Sequence, residues 1–337
     1  MQAAIIGASG YLGAELARLL VGHMDLELVT VQADRSAGTA LAALYPGLAN
    51  AYGGMVLDAL DPGALAGLDV VFLALPAGHS QEVVPALVGH VGCVVDLGPD
   101  FRLKDPSAYE RWYGFEHRCP ELLTQAVYGL VERHRNQLKG ARLIAAPGCY
   151  VTAASLALAP LVSAGVVEAD GIIVDAASGT SGAGRALSEA THHAAVNENF
   201  SAYKVTSHRH TPEIEQAVGA SVCFTPHLAP MTRGILATCY GRAAGRVEAD
   251  AVLEVLREAY AGEPFVQVVD ALPSTREVYG TNCARLSARV DERTNHVIVL
   301  SAIDNLTKGG AGQALQAAQV ALGLPEEANL PRVAVTP

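Results

Sequence analysis

The sequence is poor in charge, and the charge that it carries is mostly negative. Only 17% of its 337 residues are Asp, Glu, Lys or Arg, and the formal net charge is −11. Lys and Arg form no basic cluster along the chain, although a nucleic-acid-binding surface needs one to neutralise phosphates. We therefore expect no nucleic-acid partner, while helix N-termini and single arginines remain able to bind small anions.

Paired cysteines are also absent. The six cysteines, at positions 93, 119, 149, 223, 239 and 283, form no C-x-x-C motif, and most lie in apolar segments that resemble strands. This spacing argues against a disulfide framework and against a zinc ribbon, and it favours a reducing, cytoplasmic location.

Features that target a chain to a membrane are missing as well. The N-terminus, MQAAIIGASG, has no basic region and turns glycine-rich too early for a signal peptide. No apolar run of membrane-spanning length is free of polar residues, Gly or Pro. We therefore expect no membrane partner.

The chain is long and half hydrophobic, and the spacing of its apolar segments differs between the part before residue 149 and the part after it. In the first part, short Val/Ile/Leu runs alternate with helical segments, which predicts an α/β domain with a Rossmann-type, doubly wound parallel sheet. The predicted strands are 2–6, 26–31, 69–76, 93–98 and 142–146, and the predicted helices are 10–22 and 80–89.

After residue 149 the strands follow one another more closely, some joined by hairpin-length turns such as DERTN. This pattern predicts an α+β domain with a mostly antiparallel sheet. The predicted strands are 171–178, 221–226, 234–241, 283–290 and 296–304, and an amphipathic helix follows from Gly310. We expect one domain to comprise residues 1–148 with 308–337, and the other to comprise residues 149–307.

The segment IIGASGYLGAEL joins the first strand to the first helix. Its glycines, Gly7, Gly10 and Gly13, let a backbone turn sharply and approach a pyrophosphate at a helix N-terminus. The spacing departs from G-x-G-x-x-G, so a plain tight turn remains an alternative. After the second strand, Asp34 suits a ribose hydroxyl, whereas Arg35 and Ser36 suit a 2′-phosphate. We favour NADP, with NAD and a solvated loop left open.

The segment LIAAPGCYVTAASLALAPLV places Cys149 between a predicted strand and a helix predicted over 151–162. Ligands of open α/β sheets bind at the carboxyl ends of strands, and a helix N-terminus favours the thiolate of a cysteine. The location therefore predicts a nucleophile. A buried structural cysteine is the alternative.

A thiolate needs a proton donor or acceptor, and SHRHTPEIEQA offers His208 and His210. They precede T-P-E, whose order predicts a helix with Thr211 as its N-cap. The H-x-H spacing and the nearby pair His192-His193 leave a metal site open, but no cysteine stands at a ligand spacing, so we expect no metal. The segment SGTSGAGR (178–185) is a candidate anion-binding nest, with a flexible loop as the alternative. The segment AIDNLTKGGAGQALQ (302–316) is a third Gly-rich turn that leads into a helix.

These motifs occur together in a single family. GASGYLG, FLALPAGHS, DLGPDFRL, APGCYVTA, SGTSGAGR, HRHTPEIEQ, RGILATC and AIDNLTKG span residues 7 to 309 in an order that resembles the N-acetyl-γ-glutamyl-phosphate reductases of arginine biosynthesis. The related aspartate-semialdehyde dehydrogenases share the two-domain plan and the thiol chemistry. They lack the HRHTPEIEQ and APGCYVTA segments.

The resemblance implies an acyl-phosphate reductase. NADPH would reduce N-acetyl-L-glutamyl 5-phosphate to the 5-semialdehyde and phosphate through a thioester on Cys149, with His208 as the acid–base partner. His210 and Glu213 would orient His208 or the substrate, and Arg102 and Arg185 are candidates for the substrate carboxylate. The implied cofactor residues are Gly7, Ser9, Gly10, Tyr11, Leu12, Gly13, Arg35, Ser36, Ser181, Gly182 and Asn305. The first domain would bind NADP, and the second would carry catalysis and the contacts of a homo-oligomer, a dimer or a tetramer.

Two departures from the family keep alternatives open. The segment VYGLVER (127–133) replaces a Pro-containing family sequence, so a local loop differs. Sibling reductases act on aspartyl phosphate or on a carrier-protein-bound glutamate or aminoadipate phosphate, but APGCY favours the arginine-type substrate. The alternative hypothesis that is not an enzyme is a dinucleotide sensor, which would keep the Gly-rich dinucleotide-binding fold without catalysing a reaction.

Overall fold

The structure, a computed structural model, describes residues 1–336. The chain divides into two compact units, Met1–Pro147 with Gly310–Leu330, and Gly148–Gly309 with the residues from Pro331 onward. The segment after Leu330 thus groups with the second unit, whereas the sequence analysis assigned it to the first. Backbone hydrogen bonds explain the difference, because the Val335 N–H donates to the Tyr279 carbonyl within the second unit.

The structure contains the predicted strands and helices, together with further strands and helices that were not predicted. The strands are β1 (Gln2–Ile6), β2 (Glu27–Gln32), β3 (Val70–Leu73), β4 (Cys93–Asp96), β5 (Val127–Tyr128), β6 (Leu143–Ala145), β7 (Ile172–Ser178), β8 (Ser201–Ala202), β9 (Val222–Leu228), β10 (Ile235–Arg242), β11 (Val266–Val268), β12 (Ala284–Asp291) and β13 (His296–Ile303). The helices are α1 (Tyr11–Leu20), α2 (Leu41–Leu44), α3 (Ala49–Tyr52), α4 (Ser80–Leu87), α5 (Ser107–Tyr113), α6 (Val131–Leu138), α7 (Cys149–Ser163), α8 (His193–Val196), α9 (Thr211–Val218), α10 (Ala249–Ala259) and α11 (Gly312–Leu322).

The first unit is built on a parallel sheet with the strand order β2-β1-β3-β4-β6-β5. Strands β3 and β4 are buried along their whole length, as their continuous apolar sequences predict. The chain leaves β1 toward β2 and returns to β3 on the other side of β1. This reversal makes a crevice at the carboxyl ends of β1 and β3, where doubly wound sheets bind ligands. The predicted Rossmann-type sheet is confirmed.

The second unit is built on a mixed, mostly antiparallel sheet with the order β11-β12-β13-β10-β7-β9-β8, as predicted. Helix α7 packs on β10 and β13, and its residues from Tyr150 to Leu161 are all buried because its sequence is apolar on every side. Ile235, at the start of β10, pairs with Ser178, at the end of β7, and with Ile303, at the end of β13. The segments that adjoin these three positions therefore meet at one edge of the sheet.

Two carboxylates lie buried at the carboxyl edge of the first sheet. Asp96 ends β4, and its Oδ1 accepts hydrogen bonds from the Ser80 hydroxyl and the Gly98 N–H. Asp100 accepts from the backbone N–H groups of Gly78 and Ser80, at the start of α4. Burial, reinforced by the charge of Asp100, raises the pKa of Asp96 to about 7. Asp96 is thus partly protonated at neutral pH.

We expect Asp96→Asn to change the pH dependence of stability. Since the folded-state pKa exceeds the ordinary value of 3.8, the contribution of Asp96 is fully present below about pH 4 and is lost as pH rises through about 7. Thermal unfolding should therefore show that the stability of the Asn variant, relative to that of the wild type, is higher at pH 8 than at pH 5 by on the order of a few kcal/mol. Glu110→Gln, at an exposed position of α5, is the control and should keep the wild-type profile. A parallel shift of Asp96→Asn at both pH values would contradict the prediction.

Candidate active site

The Gly-rich turn after β1 has the geometry of a dinucleotide-binding turn. Gly7 has a φ of +88°, and a Cβ there would collide with the backbone of Ala74. A Cβ on Gly13 would lie 2.5 Å from the Gly7 carbonyl oxygen, so only glycine lets α1 pack this closely. Helix α1 begins directly after Gly10 and has no acidic residue in its first turn, which leaves its N-terminus suited to a pyrophosphate. The residues of the turn therefore fit a dinucleotide.

The other predicted cofactor residues of the first unit lie in this turn, at the start of α1 and in the turn after β2. Ser9 and Leu12 are half-buried and Tyr11 is exposed, and the Ser9 carbonyl accepts a hydrogen bond of 2.8 Å from the Tyr45 hydroxyl. Arg35 is exposed and Ser36 half-buried, in the turn that follows β2. The sequence analysis had not singled out Tyr45, whose hydroxyl fixes the backbone of the Gly-rich turn.

Cys149 is the first residue of α7, two residues earlier than the helix start predicted from the sequence. Gly148 is the N-cap, and the first turn contains no acidic residue. Cys149 is also the one partly exposed thiol besides the exposed Cys223, since the other four cysteines of the described chain are buried. A partly accessible thiol at a helix N-terminus is where the positive end of the helix dipole favours the thiolate.

His210 and Glu213 hold the residue that precedes Cys149. The Oε1 of Glu213, a fully buried side chain, accepts the Gly148 N–H at 2.9 Å. The imidazole of His210 packs on the other side of Gly148, where a Cβ would lie only 2.5 Å from its Nε2. Gly148 is therefore a glycine because an imidazole occupies the space of a side chain. His210 is also the N-cap of α9, where the sequence predicted Thr211, so that prediction is wrong by one residue.

His208 occupies a different environment. Its Nδ1 accepts the His210 N–H at 3.1 Å, and its ring makes edge-to-face contacts with Tyr150, Tyr203 and Phe224. Burial among these rings, with Arg209 and Lys204 nearby, lowers its pKa to about 4. His208 is consequently neutral at pH 7, a state in which it accepts a hydrogen bond but is a poor proton donor. These aromatic rings were not predicted from the sequence, although Tyr150 directly follows the cysteine.

The predicted residues Ser181, Gly182 and Asn305 come together at the edge of the second sheet. Asn305 Nδ2 donates to the Ser181 hydroxyl at 3.0 Å, and Asn305 Oδ1 accepts the Gly234 N–H at 2.7 Å. Gly182 is exposed beside them, in the 3₁₀ turn Thr180–Ala183 that the sequence analysis treated as a loop. The amide of Asn305, from a segment more than a hundred residues away, thus fixes this turn.

The two candidate arginines differ in setting. Arg102 is buried in the first unit and donates from Nη2 to the Leu97 carbonyl at 2.8 Å. Arg185 is exposed in the second unit, after the 3₁₀ turn. Arg102 therefore has a structural role in the loop after β4, and the choice between the two for a substrate carboxylate stays a prediction.

The described residues contain neither a metal-binding cluster nor a membrane-spanning helix. Among residues 1–336, no group of three or more His, Cys, Asp or Glu side chains is placed to hold a metal ion. In the same range, the helices are too short or too polar to cross a membrane.

Both units match families of known proteins. Residues 2–141 match the semialdehyde dehydrogenase NAD binding domain, and residues 149–305 match the semialdehyde dehydrogenase dimerisation domain. Among solved structures, aspartate semialdehyde dehydrogenase II of Vibrio cholerae superposes with a TM-score of 0.69 at 16% identity, covering 95% of this chain and 97% of that one. At this identity the likeness establishes the fold.

Curated relatives are much more similar in sequence. The N-acetyl-gamma-glutamyl-phosphate reductase of Symbiobacterium thermophilum is 49% identical over 98% of this chain and 97% of its own length. The enzymes with the same name from Alkalilimnicola ehrlichii and Geobacillus stearothermophilus are each 45% identical over the full length of both chains. The chain therefore belongs to the semialdehyde dehydrogenase family, in the branch of the N-acetyl-gamma-glutamyl-phosphate reductases.

Proposed function

We propose that the protein reduces N-acetyl-L-glutamyl 5-phosphate to N-acetyl-L-glutamate 5-semialdehyde and phosphate, with NADPH as the reductant. The observation that carries the proposal is a partly exposed cysteine at the N-terminus of α7, directly after a glycine that contacts both His210 and Glu213, in a chain 49% identical to a reductase of that name. Such a reaction would serve arginine biosynthesis.

The chemistry follows from the groups around Cys149. The thiolate bonds to the acyl carbon as the bond from that carbon to the phosphate oxygen breaks, and phosphate leaves with the electron pair. Bound NADPH supplies the hydride that reduces the thioester carbon. A protonated imidazole then gives a proton to the resulting oxyanion. In the last step the same proton returns to the imidazole as the carbon–sulfur bond breaks and releases the aldehyde and the thiolate.

We assign this proton transfer to His210, in place of His208. The His210 imidazole packs directly against Gly148. Both histidine rings contact Tyr150, but burial lowers the pKa of His208 so that this imidazole is neutral at pH 7. In this assignment His208 is a positioning residue, since its Nδ1 accepts the backbone N–H of His210. Glu213 fixes the backbone at the start of the cysteine's helix.

The cofactor proposal assigns the two halves of NADPH to different segments. Gly7, Gly10 and Gly13, with the start of α1, would bind the pyrophosphate, and Arg35 with Ser36 would bind the 2′-phosphate. Ser181, Gly182 and Asn305 would flank the nicotinamide. The preference for NADPH rests on Arg35, an exposed cation in the turn after β2, which would meet the adenosine ribose.

We also propose that the second unit forms a homodimer in the cytoplasm. One face of its sheet carries α7 and α10. Apolar residues on the opposite face remain partly exposed, among them Ile173, Leu236, Tyr240, Ile298 and Leu300. The match to a dimerisation domain makes a second copy of the chain the expected partner of this face. The six cysteines of the described chain form no disulfide, which supports a reducing compartment.

The function is tested in the oxidative direction. N-acetylglutamate semialdehyde and aspartate semialdehyde are each incubated with enzyme, phosphate and NADP⁺ or NAD⁺, and absorbance at the nicotinamide band is followed. We expect phosphate-dependent turnover with the N-acetylated substrate and NADP⁺ at a rate far above the other combinations. Equal rates with both semialdehydes would favour a sibling acyl-phosphate reductase, and no phosphate-dependent turnover would favour a dinucleotide sensor.

A further inference from the structure

Arg233 and Asp304 form a buried ion pair at the edge of the second sheet, where β10 begins and β13 ends. The Arg233 Nε donates to Asp304 Oδ2 at 2.9 Å and the Nη2 to Oδ1 at 2.8 Å, so that the guanidinium grips both carboxylate oxygens. The Asp304 side chain is fully buried, and that of Arg233 is 15% exposed. Because a buried ion pair adds little net stability over apolar residues, its presence here calls for a geometric explanation.

Asp304 organises the segment that packs against the nucleophile. Its Oδ1 also accepts the N–H groups of Leu306 and Thr307, and its backbone carbonyl accepts the N–H of Gly309 at 2.8 Å. Gly309 in turn lies so close to Cys149 that a Cβ on it would stand 2.8 Å from the cysteine Cβ. The carboxylate thus fixes a tight turn whose end rests on the reactive residue.

Arg233 belongs to a segment that is hydrogen-bonded to residues 179–181. The carbonyls of Met231, Thr232 and Gly234 accept the N–H groups of Thr180, Ser181 and Gly179, respectively, at 2.8 to 3.1 Å. A Cβ on Gly179 would collide with this backbone at 2.7 Å, so the two segments lie in direct contact. The backbone around Arg233 therefore sets the position of the loop that we assign to the nicotinamide.

We propose that Arg233 is a positioning residue for hydride transfer. Arg233 makes two hydrogen bonds to Asp304 and a third from Nη2 to the Thr307 hydroxyl at 2.9 Å. These bonds join residues 231–234, which contact the 178–182 loop, to residues 304–309, which contact Cys149. The planar guanidinium of an arginine fixes both the distance and the angle to a carboxylate, whereas the ammonium of a lysine fixes only the distance. This inference rests on the proposed function, because the loop matters for catalysis only if a nicotinamide lies beside the thioester.

The test measures the two half-reactions of Arg233→Lys separately. Acylation is followed as the burst of phosphate released when enzyme meets acyl phosphate without NADPH, and hydride transfer is followed as the single-turnover oxidation of NADPH added to the acyl-enzyme. We expect the phosphate burst to stay within about twofold of wild type. Hydride transfer should slow about ten- to hundredfold, the usual cost of a small misplacement of reacting groups. Arg257→Lys, which alters an exposed ion pair with Asp270, is the matched control and should change neither rate.

Each other outcome overturns the inference. Unchanged hydride transfer in a folded Arg233→Lys protein would show that the guanidinium is dispensable, and a loss confined to the burst would assign Arg233 to acylation. If Arg233→Lys does not fold, Thr307→Val removes only the third hydrogen bond and is judged by the same two rates, with a smaller loss of hydride transfer expected. A wild type that gives no phosphate burst would refute the proposed function itself.

Discussion

Replacing Cys149 by serine is expected to lower kcat by about 10⁴-fold or more, because removal of a covalent nucleophile removes the intermediate on which every later step depends. A serine hydroxyl at the start of α7 is not ionised near neutral pH and would leave poorly from the reduced intermediate. NADPH binding, followed by nicotinamide fluorescence, should stay within about twofold of wild type, since Cys149 is not among the residues that we assign to the cofactor.

The matched control for this variant is Cys223→Ser, at the exposed position of β9, which should keep full turnover. Alkylation gives an independent measurement. Burial raises the pKa of Cys93 and Cys239 to about 12 and that of Cys119 to about 11, so these thiols stay protonated at pH 7.5. Iodoacetamide should therefore label Cys149 first and Cys223 second, with loss of activity tracking Cys149. A Cys149→Ser enzyme within about tenfold of wild type would rule out the thioester route.

Local sequence patterns were sufficient for the frame that carries this cysteine. The glycines at 7, 10 and 13 and the apolar runs of β1, β3 and β4 each express a requirement of their own neighbourhood, namely a tight turn or burial on both faces of a sheet. The helix start at Cys149 was placed two residues late, because Pro147 and Gly148 mark a break without telling which residue first takes helical dihedrals. Helix α6 was missed because Val131 and Leu138 are its only apolar residues. The amphipathic pattern of α10 was visible in the sequence and was overlooked.

The chemistry of the site depends on contacts that no local pattern contains. Arg233 and Asp304 are 71 residues apart in the chain, and only the pairing of β10 with β13 brings them together. The choice between His208 and His210 is of the same kind. The two imidazoles are two residues apart in the chain, and both contact Tyr150. The further contact of His210 with Gly148 depends on how α9 packs against α7.

The two histidines give the second large expected effect. His210→Asn should lower kcat by about 100-fold or more, in the range of lost general acid–base catalysis, because the His210 imidazole packs directly against the glycine that precedes Cys149. His208→Asn should lower kcat by less than about tenfold, since an asparagine can still accept the His210 N–H. The measurement is kcat and kcat/KM for both variants between pH 5 and pH 9.

The pH profiles separate proton transfer from positioning. If His210 carries the proton, the imidazole limb of the kcat/KM profile should vanish in His210→Asn and persist in His208→Asn. His208 should instead govern stability at low pH: because burial holds its folded-state pKa near 4, below the ordinary 6.5, its contribution is fully present above pH 6.5 and is lost as pH falls through 4. His208→Asn should remove that acid sensitivity while leaving the activity limb in place. If the imidazole limb of the kcat/KM profile vanishes in His208→Asn and persists in His210→Asn, the proton-transfer role returns to His208. His210 would then only hold the backbone before the cysteine's helix.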